Sequence, residues 1–306
     1  MVPPANIILN DMRFGILANF QRPDAADAVI SAVRWCHAHE HQVYLCNDIK
    51  SFVNLEASYC ELDNMWEHID VLVSMGGDGT MLASVRALGG HSIPILGVNL
   101  GSLGFLTQLT GDQLEYALDR VEQKDYRIEE RLVLKTEVFN GAELVYPYAL
   151  NDVVIDKGNV SRVINLSLYA NNEYICSYTA DGLIVSTPTG STAYSLAVGG
   201  PILNPIMEAI IVSPISPFSL TSRPLIFPPS STLEIRLRSE HGSAMLTIDG
   251  QVATESSPTG KINISRAEHT VKLIKFPENS FYTILRNKLH WGKLPVVDFK
   301  KAEFKE

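Results

Sequence analysis

Residues 71–80 read VLVSMGGDGT, and the fold follows from them. Val71–Met75 is a short apolar run of the length of a buried strand. Gly76, Gly77 and Gly79 then turn the backbone tightly around one carboxylate, Asp78. A helical pattern begins at once, with Met81, Leu82, Val85 and Leu88 recurring at spacings of three and four. Strand, glycine turn and helix form the usual layout of a phosphate site; the competing reading is that Gly76–Thr80 is only a tight turn. Glycines let an anion approach the backbone, and a helix N-terminus offers unpaired N–H groups. A carboxylate repels phosphates, so a site that keeps one has a proton or a metal to handle.

Two familiar phosphate patterns do not fit. No Gly-Lys-Ser/Thr triplet of the Walker type occurs, and the third glycine of the Rossmann fingerprint is replaced by Leu82. Outward from the turn, the first 125 residues alternate. Arg13–Asn19, Gln42–Leu45, Val71–Met75 and Ile93–Val98 read as strands; Asp24–His39, Gly79–Leu88 and Gly111–Val121 read as helices. Such alternation implies a parallel sheet with helices on both faces, with ligands at the carboxyl ends of its strands. Asp78 lies at one such end and residues 99–107 (NLGSLGFLT) at another.

After Tyr126 the pattern becomes a series of short alternating or β-branched runs: Arg131–Phe139, Ala149–Ile155, Ile164–Tyr169, Leu183–Ser186, Leu233–Leu237, Met245–Ile248 and Thr270–Lys275. Turn signals such as Asn171-Asn172, Pro228-Pro229 and Asp249-Gly250 separate them. The expected class is α/β. A doubly wound nucleotide-binding domain spans residues 1–125. An antiparallel, β-sandwich-like domain spans 126–279, and a C-terminal tail over 280–306 returns to the first domain.

The net charge of −9 supplies no global basic field, so neither nucleic acid nor an anionic membrane is an expected partner. Cys36, Cys46, Cys60 and Cys176 show no Cys-x-x-Cys spacing, which suits reduced thiols. With no signal-peptide pattern and no 18-residue apolar run, a cytoplasmic location is expected.

Three further constellations stand out. Residues 180–200 read ADGLIVSTPTGSTAYSLAVGG, and seven hydroxyl residues crowd positions 186–195: Ser186, Thr187, Thr189, Ser191, Thr192, Tyr194 and Ser195. Such a loop offers neutral donors to ribose hydroxyls and phosphate oxygens, and Tyr194 a stacking face. The competing reading is an exposed Ser/Thr turn. Asn151-Asp152 precedes Val153-Val154-Ile155 and could read paired ribose hydroxyls, or be a polar strand start. His37 and His41 share a helical face, but Ala38 follows His37 where the metalloprotease pattern needs Glu, so no protein-held metal is expected. Gly-x-Ser-x-Gly is absent.

Taken in order and spacing, Gly76–Thr80 (GGDGT), Asn151-Asp152 and Asp181–Ser195 (DGLIVSTPTGSTAYS) closely resemble the NAD kinases of the Gram-negative bacterial type. Asn99–Thr107, Arg223-Pro224 and Asp249-Gly250-Gln251 extend the resemblance over most of the chain. The GGDGT turn alone is shared with diacylglycerol-type lipid kinases and resembles that of phosphofructokinase; the TPTGSTAY stretch is far more specific. The resemblance implies transfer of the ATP γ-phosphoryl to the adenosine 2′-hydroxyl of NAD, giving NADP, with Mg²⁺ carried on ATP. It implies Asp78 as general base, with Gly79 and Phe105 lining the same ligand. Asn151 and Asp152 would hold the adenosine ribose. Thr192, Ala193, Tyr194 and Ser195, with Leu196 and Ala197, would surround the adenine and ribose. Arg162, Thr179, Asp181 and Gln251 would complete the dinucleotide site, some from a neighbouring subunit of a homodimer or homotetramer.

The chain departs from that pattern at Asp152, where Glu is common, at Thr179, where many relatives carry Arg, and at Phe218, where His is frequent. Three rival functions are distinct. A lipid kinase would reuse the turn on a membrane substrate, yet no basic amphipathic helix occurs. Phosphofructokinase would demand basic residues for a sugar phosphate. A non-catalytic NAD sensor would have no need of Asp78.

Overall fold

The structure is a computed structural model that describes residues 11–101, 103–139, 144–158, 162–238, 244–278 and 280–290. Strands Ser58–Cys60, Gln42–Cys46, Arg13–Ala18, Val71–Gly76 and Ile95–Asn99 lie side by side in that order, all parallel. Val71–Gly76 is central and buried at every position, which is why its sequence is apolar on both faces rather than alternating, with Ser74 alone polar and bonded to the Ser84 hydroxyl at 2.8 Å. Helices Ala25–Ala38, Asp78–Leu88 and Leu114–Glu122 bury Val29, Val33, Leu82, Val85, Leu118 and Val121 against the sheet and one another.

Strand order creates a crevice in this sheet. From Arg13–Ala18 the chain runs outward through Gln42–Cys46 to Ser58–Cys60, then returns to place Val71–Gly76 on the opposite side of Arg13–Ala18. The order therefore reverses between Arg13–Ala18 and Val71–Gly76. At such a switch point the loops leaving two neighbouring strands diverge, and a crevice opens at their carboxyl ends. The turn Gly76–Thr80 stands on one side of that crevice and Asn19–Arg22 on the other.

One long strand, Lys261–Lys275, joins the two halves of the molecule. Near its C-terminal end it pairs in parallel with Ile95–Asn99 through Leu273 and Ile95, and on its other side antiparallel with Arg127–Phe139. Its N-terminal half pairs with Leu233–Arg238, which continues to Ile164–Ala170 and Glu173–Ala180. A single 12-stranded sheet thus runs through both halves.

A second, six-stranded antiparallel sheet has the order Leu225–Phe227, Ile210–Ile215, Gly182–Ser186, Asp152–Asp156, Ala244–Ile248 and Val252–Ser256. Val153, Ile155, Leu183, Val185, Val212 and Leu246 from it share one core with Leu134, Leu166, Leu168, Ile235, Ile262 and Ile264 of the large sheet. The fold is therefore α/β with a β-sandwich. The opposite face of the six-stranded sheet forms a smaller cluster of Val154, Ile184 and Ile215, with Val198 packed on it.

Several strands carried no clear sequence signal. Ser58–Cys60 is three residues long, Ile210–Ile215 contains Pro214, and Glu173–Ala180 has polar residues on a half-exposed edge. Near the C-terminus, helix Phe281–Leu289 buries Ile284 and Leu285 and places the Lys288 ammonium 5.4 Å from the Phe105 ring centroid. The rest of the expected tail, residues 291–306, lies outside the described residues. Among the described residues no helix is long and apolar enough to cross a membrane.

Candidate active site

Asp78 is the first residue of the helix Asp78–Leu88, where a carboxylate complements the positive end of the macrodipole. Its side chain turns to the loop after Ile95–Asn99. Oδ2 accepts the Phe105 N–H at 2.9 Å; Oδ1 accepts the Leu106 N–H at 3.0 Å, with the Thr107 N–H and hydroxyl each at 3.4 Å. Asn99 shapes that loop. Its amide donates to Thr107 Oγ1 at 2.8 Å and its carbonyl oxygen accepts the Gly101 N–H at 2.8 Å. Gly104 is required by close approach, since a Cβ there would lie 1.9 Å from Asp78 Oδ1.

Across the crevice, the guanidinium of Arg22 approaches the turn. Cβ atoms built on Gly77 and Gly101 would lie 4.0 Å and 3.5 Å from its nitrogens. A cavity of about 340 Å³ lies alongside, lined by Leu17 to Gln21, Ile49 and Phe52. A second, of about 410 Å³, reaches Thr80 and Arg86 and shares Leu17, Ala18 and Leu62 with the first. Arg22 was invisible to sequence reasoning, because an arginine in a loop has no pattern until the strand order places it.

The second part of the site is built around Asp249. Its carboxylate accepts the N–H groups of Leu150, Asn151 and Asp152 at 2.9, 2.7 and 3.1 Å. The hydroxyl-rich loop packs backbone to backbone on the same segment. The Thr187 N–H donates to the Asn151 carbonyl at 2.9 Å and the Ser186 hydroxyl to the same oxygen at 3.1 Å. Gly190 comes so close that a Cβ would lie 2.1 Å from that carbonyl oxygen.

Asp152 is buried. Burial first, then the neighbouring charge of Asp249, pushes its carboxyl up to about 7, against the pull of the Tyr194 backbone N–H.

The hydroxyls of this loop divide by role. Ser186, Thr187, Ser191 and Ser195 are fully buried and bond within the protein: Thr187 to the Leu150 carbonyl at 2.5 Å, Ser191 to the Pro188 carbonyl at 2.7 Å, Ser195 with Ser213 at 3.3 Å. Tyr194, by contrast, is 45% exposed. Thr192 and Ala193 are half-buried, and the single turn Tyr194–Ala197 continues with Leu196 half-buried and Ala197 exposed.

Gln251 links the two parts. Its amide donates to the Gly79 carbonyl at 3.3 Å and its oxygen accepts from Arg86. Arg162, Thr179 and Asp181 stand elsewhere. The register pairs Gly182 with Asp156 and Ser186 with Asp152, so Asp181 lies at the far end of the strand, about 13–17 Å from Asp152 at ~3.3 Å per residue. There Asp181 pairs with Lys157 at 2.6 Å, and the Thr179 hydroxyl donates to Asn165 at 2.7 Å. Arg162 is exposed, just before Ile164–Ala170.

The histidine cluster sits away from this region. His41 lies against Glu122 at 3.2 Å and the His39 ring bonds the Trp35 carbonyl. Among the described residues no group of three His, Cys, Asp or Glu side chains could hold a metal.

The family model described as the ATP-NAD kinase N-terminal domain matches residues 14–126, and that described as the ATP-NAD kinase C-terminal domain matches residues 150–276. The NAD kinase of Geobacter metallireducens is 45% identical over 225 residues, covering 73% of this chain and 80% of that protein. That of Syntrophotalea carbinolica is 36% identical over 282 residues, covering 92% and 99%. Among solved structures, yeast NADH kinase complexed with NADH superposes with a TM-score of 0.84 at 25% identity over 93% of this chain and 89% of that one. An NAD kinase from Archaeoglobus fulgidus in complex with ATP shares the fold, with a TM-score of 0.73 at 24% identity over 90% and 97%.

Proposed function

The chain belongs to the ATP-NAD kinase family, and on that premise we propose how its residues transfer the ATP γ-phosphoryl to the adenosine 2′-hydroxyl of NAD. Asp78 accepts the proton that leaves the hydroxyl as the new P–O bond forms. The observation that carries this role is the geometry of its carboxylate. Backbone N–H groups clamp it at the switch point, while Oδ2 takes only one of them and keeps a second acceptor site for the incoming proton.

ATP enters the crevice between Arg13–Ala18 and Val71–Gly76 as its divalent-cation complex. Its base occupies the cavity lined by Phe20 and Phe52, and its phosphates lie against Gly77, Gly79 and the guanidinium of Arg22. The chain has no Walker lysine, so backbone N–H groups, Arg22 and the cation on the nucleotide neutralise charge during transfer. NAD places its adenosine over Tyr194, with Asn151 and Asp152 toward the ribose. Gln251 holds that half of the site to the Gly79 turn.

The chain works as a homo-oligomer. In support, Phe218 and Leu220 are exposed apolar side chains on the segment whose Phe218 N–H bonds the Thr179 carbonyl at 2.8 Å. A second copy seated there would bring its own residues to Thr179 and Asp181, which lie far from Asp152 within one chain.

The direct test is purified protein with Mg-ATP and NAD, scored for NADP, beside diacylglycerol and fructose 6-phosphate. NADP should form and neither control should be phosphorylated. In the Asp78→Asn variant kcat should fall by ~10²–10⁴, the span of a positioned base. An Asp78→Asn enzyme at full speed would remove Asp78 from the chemistry.

A further inference from the structure

Lys275 ends the strand Lys261–Lys275 and is only 3% exposed. Its ammonium donates to the Leu106 carbonyl at 3.0 Å. The N–H of the same residue, Leu106, donates to Asp78 at 3.0 Å. The peptide whose oxygen Lys275 holds presents its other end, the Thr107 N–H, to Asp78 at 3.4 Å. Lys275 and Asp78 therefore grip the loop 105–107 from opposite sides.

Around this lysine the setting is costly for a charge. Leu106, Leu109, Met81, Ile95, Leu273 and Phe276 line the adjoining gap. Burial first, then the Arg131 guanidinium, pushes the Lys275 ammonium down to about 7; Glu129 and Asp78 oppose that, and Arg127 adds to it. A well-packed apolar residue at such a position commonly leaves a protein as stable or more so, so folding alone gives little reason for an ammonium here.

We propose that Lys275 is a positioning residue for phosphoryl transfer: through the Leu106 carbonyl it fixes the backbone N–H groups that hold the Asp78 carboxylate for the 2′-hydroxyl. This rests on the reading of Asp78 as the base. A carboxylate displaced by a fraction of its productive geometry costs rate without weakening substrate binding.

The test compares Lys275→Met, Lys275→Arg, Asp78→Asn and the Lys275→Met/Asp78→Asn double variant by kcat, by KM for NAD and ATP, and by Tm. Lys275→Met should keep or raise Tm and leave both KM values within about 2-fold, while kcat falls roughly 10²-fold. Lys275→Arg, which keeps a donor, should recover part of that loss. In the double variant the lysine change should cost nothing beyond Asp78→Asn, because both act through one group.

A wild-type kcat in Lys275→Met overturns the inference, as does a loss that multiplies with that of Asp78→Asn. If Lys275→Met lowers Tm and kcat per folded molecule is unchanged, the residue is structural and the inference fails. An Asp78→Asn enzyme at full speed defeats the base reading itself; a slow Asp78→Asn with a fast Lys275→Met defeats this inference alone.

Discussion

The side chain of Gln251 donates to the Gly79 carbonyl at 3.3 Å, joining positions 172 residues apart. In the same turn, two residues earlier, Asp249 gathers the N–H groups of Leu150, Asn151 and Asp152. One turn of the six-stranded sheet therefore holds both the glycine turn of the parallel sheet and the Asn151-Asp152 segment. The two halves of the site come from different sheets, and this short turn sets their spacing.

Gly104 tests how tightly Asp78 is placed. An added methyl would meet Asp78 Oδ1 at 1.9 Å and Thr107 Oγ1 at 2.6 Å, so Gly104→Ala must push the carboxylate aside. Steady-state kinetics should show kcat reduced by roughly 10²-fold with KM for NAD little changed. A variant as fast as wild type would mean that the observed placement of Asp78 is not the working one.

Asp152 should make stability depend on pH. Its carboxyl is held up at about 7, well above the ordinary 3.8. Between those values the folded chain keeps a proton that the unfolded chain has released, so stability falls as pH rises through this window. Below it the effect is absent, and above it the cost is complete. Asp152→Asn removes the titration and still offers an oxygen to the Tyr194 N–H. Thermal unfolding at pH 5, 6, 7 and 8 should show wild type losing ground to the variant, by about 3 kcal/mol between pH 5 and pH 8. Parallel curves for the two proteins would show that the carboxyl ionises normally.

Tyr194 is exposed, and little of the fold leans on it. Tyr194→Ala should leave Tm unchanged and weaken NAD binding by ~1–3 kcal/mol, the worth of one stacking face. Calorimetry with NAD gives the affinity directly. Unaltered affinity would put the adenine elsewhere.

Phe218 and Leu220 are 85% and 91% exposed. Replacing both with Glu should leave each subunit folded but shift the assembly toward monomer in sedimentation, with KM for NAD rising as the site loses its neighbour. An unchanged sedimentation coefficient would exclude this segment from the subunit interface.

Much of the fold was legible because the signals are local. Val71–Gly76 shows as a buried strand since its residues are apolar on both faces apart from Ser74, and the glycines after it specify a turn whatever surrounds them. The strands that went unread are those whose pattern depends on neighbours. Ile210–Ile215 accommodates Pro214 inside a buried strand, and Glu173–Ala180 keeps polar residues because one side of it is wet. The hydroxyl loop was legible as a cluster but not in its roles. Nothing in the order of Ser186, Thr187, Ser191, Thr192, Tyr194 and Ser195 says which are buried under the Asn151 backbone and which face outward.

By itself the sequence determined the chemistry of each segment: a glycine turn around one acid at Asp78, a hydroxyl loop with an aromatic at Tyr194, and alternation that separates a parallel half from an antiparallel one. These depend on backbone freedom and side-chain type over a few residues. Only the tertiary structure decided which segments meet. It set Arg22 beside Gly77, Gln251 against Gly79, Lys275 against Leu106, and Asp181 away from Asp152. The reason is physical. Those contacts are made by strand order and, at Lys275, by a buried polar group that must find a partner far along the chain, and no local pattern encodes a partner 172 residues away.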